Sequence, residues 1–136
     1  MTLAEFLAAR LGDREAAALA AGGGARERQW DAIGPGHQEG RVVDGHGDVI
    51  VYDEGSPTFA QAQHIAMNDP DYALRDVAAK RKILAAHQPE PSARPPSEDH
   101  KLPCVVCSQD WWPCDVLRTL GEIDSGHPDY NPEWRP

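Results

Sequence analysis

Long apolar runs are missing from this chain. Nothing in its 136 residues approaches the roughly 20 consecutive apolar residues that a membrane-spanning helix needs. The opening stretch, MTLAEFLAARLGDRE, has no apolar run flanked by positive charge and no small-residue cleavage site, so it reads as a helix of the mature protein and not as a signal peptide. Positive charge is also scarce: 13 Lys and Arg stand against 22 Asp and Glu, a formal charge of −9. Binding to nucleic acid that runs on phosphate neutralisation is therefore disfavoured. Aromatic residues make up only 7%, and with 12 Gly and 12 Pro they imply a modest core and long irregular stretches. Cysteine is limited to three, an odd number that argues against a framework of disulfides alone. No Gly-rich phosphate loop, G-x-S-x-G elbow or paired helical metal motif is present. A cytoplasmic setting is the expectation, and there thiols stay reduced and available to metals.

The length suits one domain spanning residues 1–136, and the pattern along it predicts an α+β fold. Thr2 and Glu5 form a capping box ahead of Leu3, Phe6, Leu7 and Leu11, which recur at helical spacing, so residues 1–23 read as an N-terminal helix closed by Gly22, Gly23 and Gly24. Residues 29–54 change period. Short β-rich runs at Trp30 to Ile33, Arg41 to Asp44 and Asp48 to Tyr52 lie between glycine-rich turns, the signature of a small antiparallel meander. Residues 57–87 read as a helical hairpin, its first helix opened by Ser56 and Pro57 and its second by Asp69 as cap with Pro70 in the first turn. A proline-rich loop follows over 88–103. Residues 104–136 carry the cysteines, a fourth helix with Pro113 and Cys114 in its first turn, and a tail whose Tyr130 and Trp134 predict packing back onto the domain.

All three cysteines fall in PCVVCSQDWWPC. Cys104 and Cys107 form a C-x2-C pair, whose reach lets two sulfurs bind one tetrahedral ion, and Cys114 follows as a third donor. A small core invites such a staple. The fourth ligand of a structural zinc site must come from elsewhere, with His87 at a helix end favoured over His100 in the proline-rich loop; His64 and His127 are further options. The plainer alternative is three reduced cysteines packed as small hydrophobes, with His87 a helix-end residue and His64 a core-edge one.

Other chemistries leave weaker traces. HQE at His37 to Glu39 and PCVVC at Pro103 to Cys107 match the two halves of the zinc deaminase signature, but the first half is flanked by glycines and the gap is long. A thioredoxin-like reading fails on context, because the C-x2-C follows a proline-rich loop and not a strand that opens a helix. Arg75, Lys80, Arg81 and Lys82 form a basic cluster that would serve a nucleic-acid module, although such runs are usually a solvated helix face. Between Gln29 and Tyr72, by contrast, eight acidic residues stand against Arg41 alone. Trp111 and Trp112 are the apolar anchors a protein interface uses, with core packing as the alternative.

Three blocks, HIAMNDPDYALRDVAAKRKILAAH from His64 to His87, CVVC with PCDVLRTL, and the ending HPDYNPEWRP, resemble a family of small proteins of unknown function from actinobacteria and their bacteriophages. The resemblance implies a bacterial or phage setting and brings no activity. The reading as a whole is a zinc-stabilised binding or regulatory module without catalysis, with Cys104, Cys107, Cys114 and His87 as ligands and another protein as partner.

Overall fold

The computed structural model describes residues 1–34, 40–52, 57–91, 102–107 and 111–136. Among them are four α-helices, three β-strands and a 3₁₀ turn, an α+β fold as the pattern predicts. The chain divides into two compact units, Met1–Gly12 with Ala78–Pro136, and Asp13–Val77. No helix among the described residues is long and apolar enough to cross a membrane.

The first helix, α1 (Leu3–Ala21), begins as its capping box requires: the Thr2 hydroxyl accepts from the Glu5 amide at 3.2 Å and the Glu5 carboxylate accepts from the Thr2 amide at 2.7 Å. In the unit of Met1–Gly12 and Ala78–Pro136, Leu3, Phe6, Leu7 and Leu11 are all buried. Leu3, Phe6 and Leu7 share a core with Cys104, Cys114, Leu117 and Tyr130, against which Leu84, Cys107, Trp112, Leu120 and Trp134 pack. The tail does return, as its aromatics predict. Phe6 meets Tyr130 at 5.8 Å and Trp134 at 5.3 Å between ring centroids, and Tyr130 and Trp134 meet edge to face at 5.7 Å. A short 3₁₀ turn, Pro132–Trp134, holds this geometry, capped by the Asn131 side chain, which accepts from the Glu133 amide at 3.0 Å.

The unit of Asp13–Val77 holds the meander. Strands β1 (Trp30–Ile33), β2 (Arg41–Asp44) and β3 (Val49–Val51) pair antiparallel in the order β1-β2-β3, with Trp30 opposite Asp44 and Val43 opposite Val49. The central strand buries Val42 and Val43 on opposite faces. Helix α2 (Phe59–Met67) packs across β1 and β2 through Ala62, which is fully buried. Gly40 lets that helix approach, because a Cβ there would lie 2.9 Å from the Phe59 Cα.

Two helix starts differ from the sequence expectation. The cap of α2 is Thr58, which makes a full capping box with Gln61; Ser56 lies outside the described residues. Thr58 prevails because Gln61 at N3 can reach back to its amide. Helix α4 (Asp115–Glu122) has Cys114 as its N-cap and not within its first turn. The Cys114 backbone is extended and its side chain makes no capping hydrogen bond, since its sulfur lies near His87. Helix α3 (Pro70–Ala86) starts as expected, with the Asp69 carboxylate accepting from the Tyr72 amide at 2.6 Å.

Candidate metal centre

Four side chains converge at the end of α3. His87 follows the last helical residue, and its amide still donates to the Ile83 carbonyl at 3.0 Å, so the ring leaves from a rigid helix end. Its carbonyl, one of the groups a helix terminus leaves without an internal partner, accepts the Trp112 indole N–H at 3.0 Å.

The cysteine segment is held on both sides. The Val105 amide donates to the Gln88 carbonyl at 2.9 Å and the Glu90 amide to the Pro103 carbonyl at 2.8 Å, with Cys104 bridged to Pro89. On the other edge Trp112 donates its amide to the Leu102 carbonyl at 2.8 Å, and Pro103 bridges to Trp111. These pairings give the stretch read from the sequence as a proline-rich loop a strand-like order over its described residues. Cys114 is fixed by the start of α4, where Arg118 donates from Nε to the Pro113 carbonyl at 2.9 Å and from Nη1 to the Arg135 carbonyl at 3.2 Å.

The donors fit a tetrahedral metal. His87 Nδ1 lies 3.5 Å from the Cys104 sulfur, 3.4 Å from that of Cys107 and 3.4 Å from that of Cys114. All four donor atoms lie within 4.8 Å of one another. A zinc ion with sulfurs at about 2.3 Å and nitrogen at about 2.0–2.1 Å in tetrahedral geometry sets each N···S separation at about 3.5–3.6 Å. Three thiols and an imidazole are also the donor chemistry zinc takes in closed structural sites. Cys104 and Cys114 are buried, while Cys107 and His87 are half-buried.

The thiols are not equivalent electrostatically. Burial opposes ionisation of Cys104, but the amides of Cys107 and Val106, together with His87 and Cys114, hydrogen-bond its sulfur and lower its pKa to about 7. Cys107 moves the other way, pushed up to about 12 by burial, then by its hydrogen bonds with Cys114 and Cys104 and by their charge. A cluster of thiols that cannot all carry charge together is the arrangement a cation relieves.

A family model described as "Family of unknown function (DUF6221)" matches residues 1–136, the whole chain. The chain belongs to the DUF6221 family. No curated protein and no solved structure matches it. In this DUF6221 protein the structure thus brings Cys104, Cys107, Cys114 and His87 close enough together to hold a metal ion.

His100, the alternative fourth ligand, and His37 and Glu39, the deaminase pair, lie outside the described residues. His64 is on α2, where it lines an open apolar cavity of about 550 Å³ with Pro57, Ala60, Gln61 and Ile65. His127 packs against Phe6 at 5.8 Å and contacts Arg10 through Nε2. Of the basic cluster, Arg75 pairs with Asp71 one turn earlier. The two tryptophans separate: Trp111 is 55% exposed, whereas Trp112 is half-buried against the core. The role of Trp112 as a brace for His87 has no motif to announce it, because it depends on two segments meeting that are 25 residues apart.

Proposed function

We propose that this DUF6221 protein is a zinc-stabilised binding or regulatory module of a bacterial or phage cytoplasm, working through contact with another protein and not through catalysis. The carrying observation is the equal approach of His87 Nδ1 to three sulfurs, 3.4–3.5 Å, around one point. Four protein donors complete a tetrahedron, and a zinc site so closed serves structure, whereas a hydrolytic site keeps one position for water. Two of the sulfurs are buried among Leu3, Phe6, Leu7 and Leu117, so the ion would be part of a core too small to stand on apolar packing alone.

The protein-binding part of the reading is supported by Val105, Val106 and Trp111. They are 51%, 55% and 55% exposed, on the two limbs of the cysteine loop that the metal would brace. Large apolar side chains held outward on a rigid support are what an interface uses as anchors. The deficit of positive charge favours a protein partner over nucleic acid.

The test is elemental mass spectrometry on protein purified without a histidine tag, beside the Cys114→Ser variant. One zinc per chain, weakened or lost in the variant together with a lower melting temperature, is the expected result. Freshly reduced protein that holds no metal would overturn the reading.

A further inference from the structure

The three sulfurs of the cluster differ in access. Cys104 is 0% and Cys114 1% exposed, sealed by the core, while Cys107 is half-buried at the end of a turn whose Val105 and Val106 point outward. The backbones differ too. Cys104 is held by its bridge to Pro89, and Cys114 by the start of α4, where its carbonyl accepts the Arg118 amide at 3.0 Å. Cys107 is tied instead to Cys104 itself, its amide hydrogen-bonding the Cys104 sulfur.

We propose that Cys107 is a modification site for peroxide, and that its oxidation opens the metal centre by forming a Cys107–Cys104 disulfide. The inference rests on the zinc reading. With a cation in place all three sulfurs are thiolates, so access ranks their reactivity and acidity does not. The Cys107 thiolate attacks one oxygen of hydrogen peroxide. An S–O bond forms, the O–O bond breaks, and hydroxide leaves, with Cys107 now a sulfenic acid. The Cys104 thiolate then attacks the Cys107 sulfur, forming the S–S bond and expelling the second hydroxide. Two thiolates have lost two electrons in all, and the peroxide, with two protons from solvent, has become two waters.

Cys104 is the partner because it flanks the same turn, so closing the bridge displaces only Cys107 and the turn between them. Bridging to Cys114 would also strain the start of α4. A disulfide takes both sulfurs out of the ligand set and leaves His87 and Cys114, two donors where a closed zinc site needs four. Loss of the ion would then loosen the loop that presents Val105, Val106 and Trp111. Oxidation of Cys107 would in that way weaken the surface offered to a partner.

The experiment uses the intact zinc-loaded protein, with metal content measured before oxidant is added. Hydrogen peroxide is titrated in with a sulfenic-acid trap, zinc release is followed with a chromogenic chelator, and labels and disulfides are mapped by peptide mass spectrometry. The expected result is trap on Cys107 ahead of the other two, a Cys104–Cys107 disulfide when the trap is omitted, and zinc release that keeps pace with it. Dithiothreitol with added zinc should restore the starting state. Labelling first at Cys104 or Cys114, a Cys107–Cys114 bridge, or oxidation that leaves zinc bound would each overturn the inference while the zinc reading stands. Protein that carries no zinc at the outset overturns both.

Discussion

The indole N–H of Trp112 donates to the carbonyl oxygen of His87 at 3.0 Å, which ties one member of the Trp111–Trp112 pair to the backbone of the histidine that faces three sulfurs. Groups behind a metal ligand hold it in place, and removing one typically costs 10–100-fold in affinity. Trp112→Phe keeps the packed ring and deletes only the donor. It should weaken zinc binding by roughly tenfold in a chelator competition with the fold intact. Trp111→Ala should leave zinc affinity unchanged. Equal zinc affinity in wild type and Trp112→Phe would remove the bracing role.

The pH response follows from the two shifted thiols. Cys107, pushed up to about 12, still carries its proton at pH 8, so zinc must displace it, and calorimetric titration at pH 8 in buffers of different ionisation enthalpy should reveal proton release. Affinity should fall as the solution is made more acidic. In the metal-free protein the signs oppose each other. Cys104, lowered to about 7 from 9, adds stability as pH rises from 7 to 9, because there the unfolded chain holds the extra proton. Above pH 9 the raised Cys107 reverses the slope, since the folded state then holds the proton that the unfolded chain has lost. Metal-free protein should therefore melt highest near pH 9, and a melting temperature flat from pH 7 to 9 would count against the hydrogen bonding at the Cys104 sulfur.

Much of this arrangement is legible in the sequence because it is local. The Thr2 and Glu5 box, the Asp69-Pro70 helix start and the β-rich run of β2 each involve a few neighbouring residues, and the structure has α1, α3 and β2 where that pattern puts them. The donor cluster is legible for a similar reason: three cysteines fall within eleven residues, and a histidine at a helix end lies close enough to them to hold a metal ion with them. What the sequence does not carry is pairing between irregular segments. Residues 88–90 and 111–112 flank 102–104 through backbone groups of prolines and their neighbours, which have no periodicity to detect. Cys114 is the cap of α4 where the sequence suggests a first-turn residue, because a cysteine cap and a first-turn cysteine look alike until the direction of the sulfur is known.

The hairpin between β2 and β3 depends on one buried carboxylate. Asp44 Oδ1 accepts from the His46 amide at 2.9 Å and the Asp48 amide at 3.0 Å, and Gly47 supplies the positive φ of +88° that the turn needs. Asp44→Ala leaves two amides without their acceptor and should cost about 1–3 kcal/mol in urea denaturation. Asp44→Asn keeps an acceptor oxygen in place and should recover most of that loss. Equal losses in the two variants would mean that the charge, and not the hydrogen bonding, holds the turn.

Phe6 and Tyr130 pack against each other but should answer to mutation in opposite ways. Phe6 is fully buried at the centre of the aromatic group, meeting His127, Tyr130 and Trp134, so Phe6→Ala opens a cavity that the surrounding rings cannot fill and should cost about 3–5 kcal/mol. Tyr130 is also buried, but its hydroxyl has no hydrogen-bond partner among the described residues. A buried hydroxyl without a partner carries its desolvation cost uncompensated, about 1–3 kcal/mol. Tyr130→Phe removes the hydroxyl and keeps the edge-to-face contacts with Phe6 and Trp134, so it should be neutral or raise the melting temperature. A clear loss of stability in Tyr130→Phe would mean that the hydroxyl is satisfied in solution by water or by another part of the chain, and that the tail is held by more than its rings.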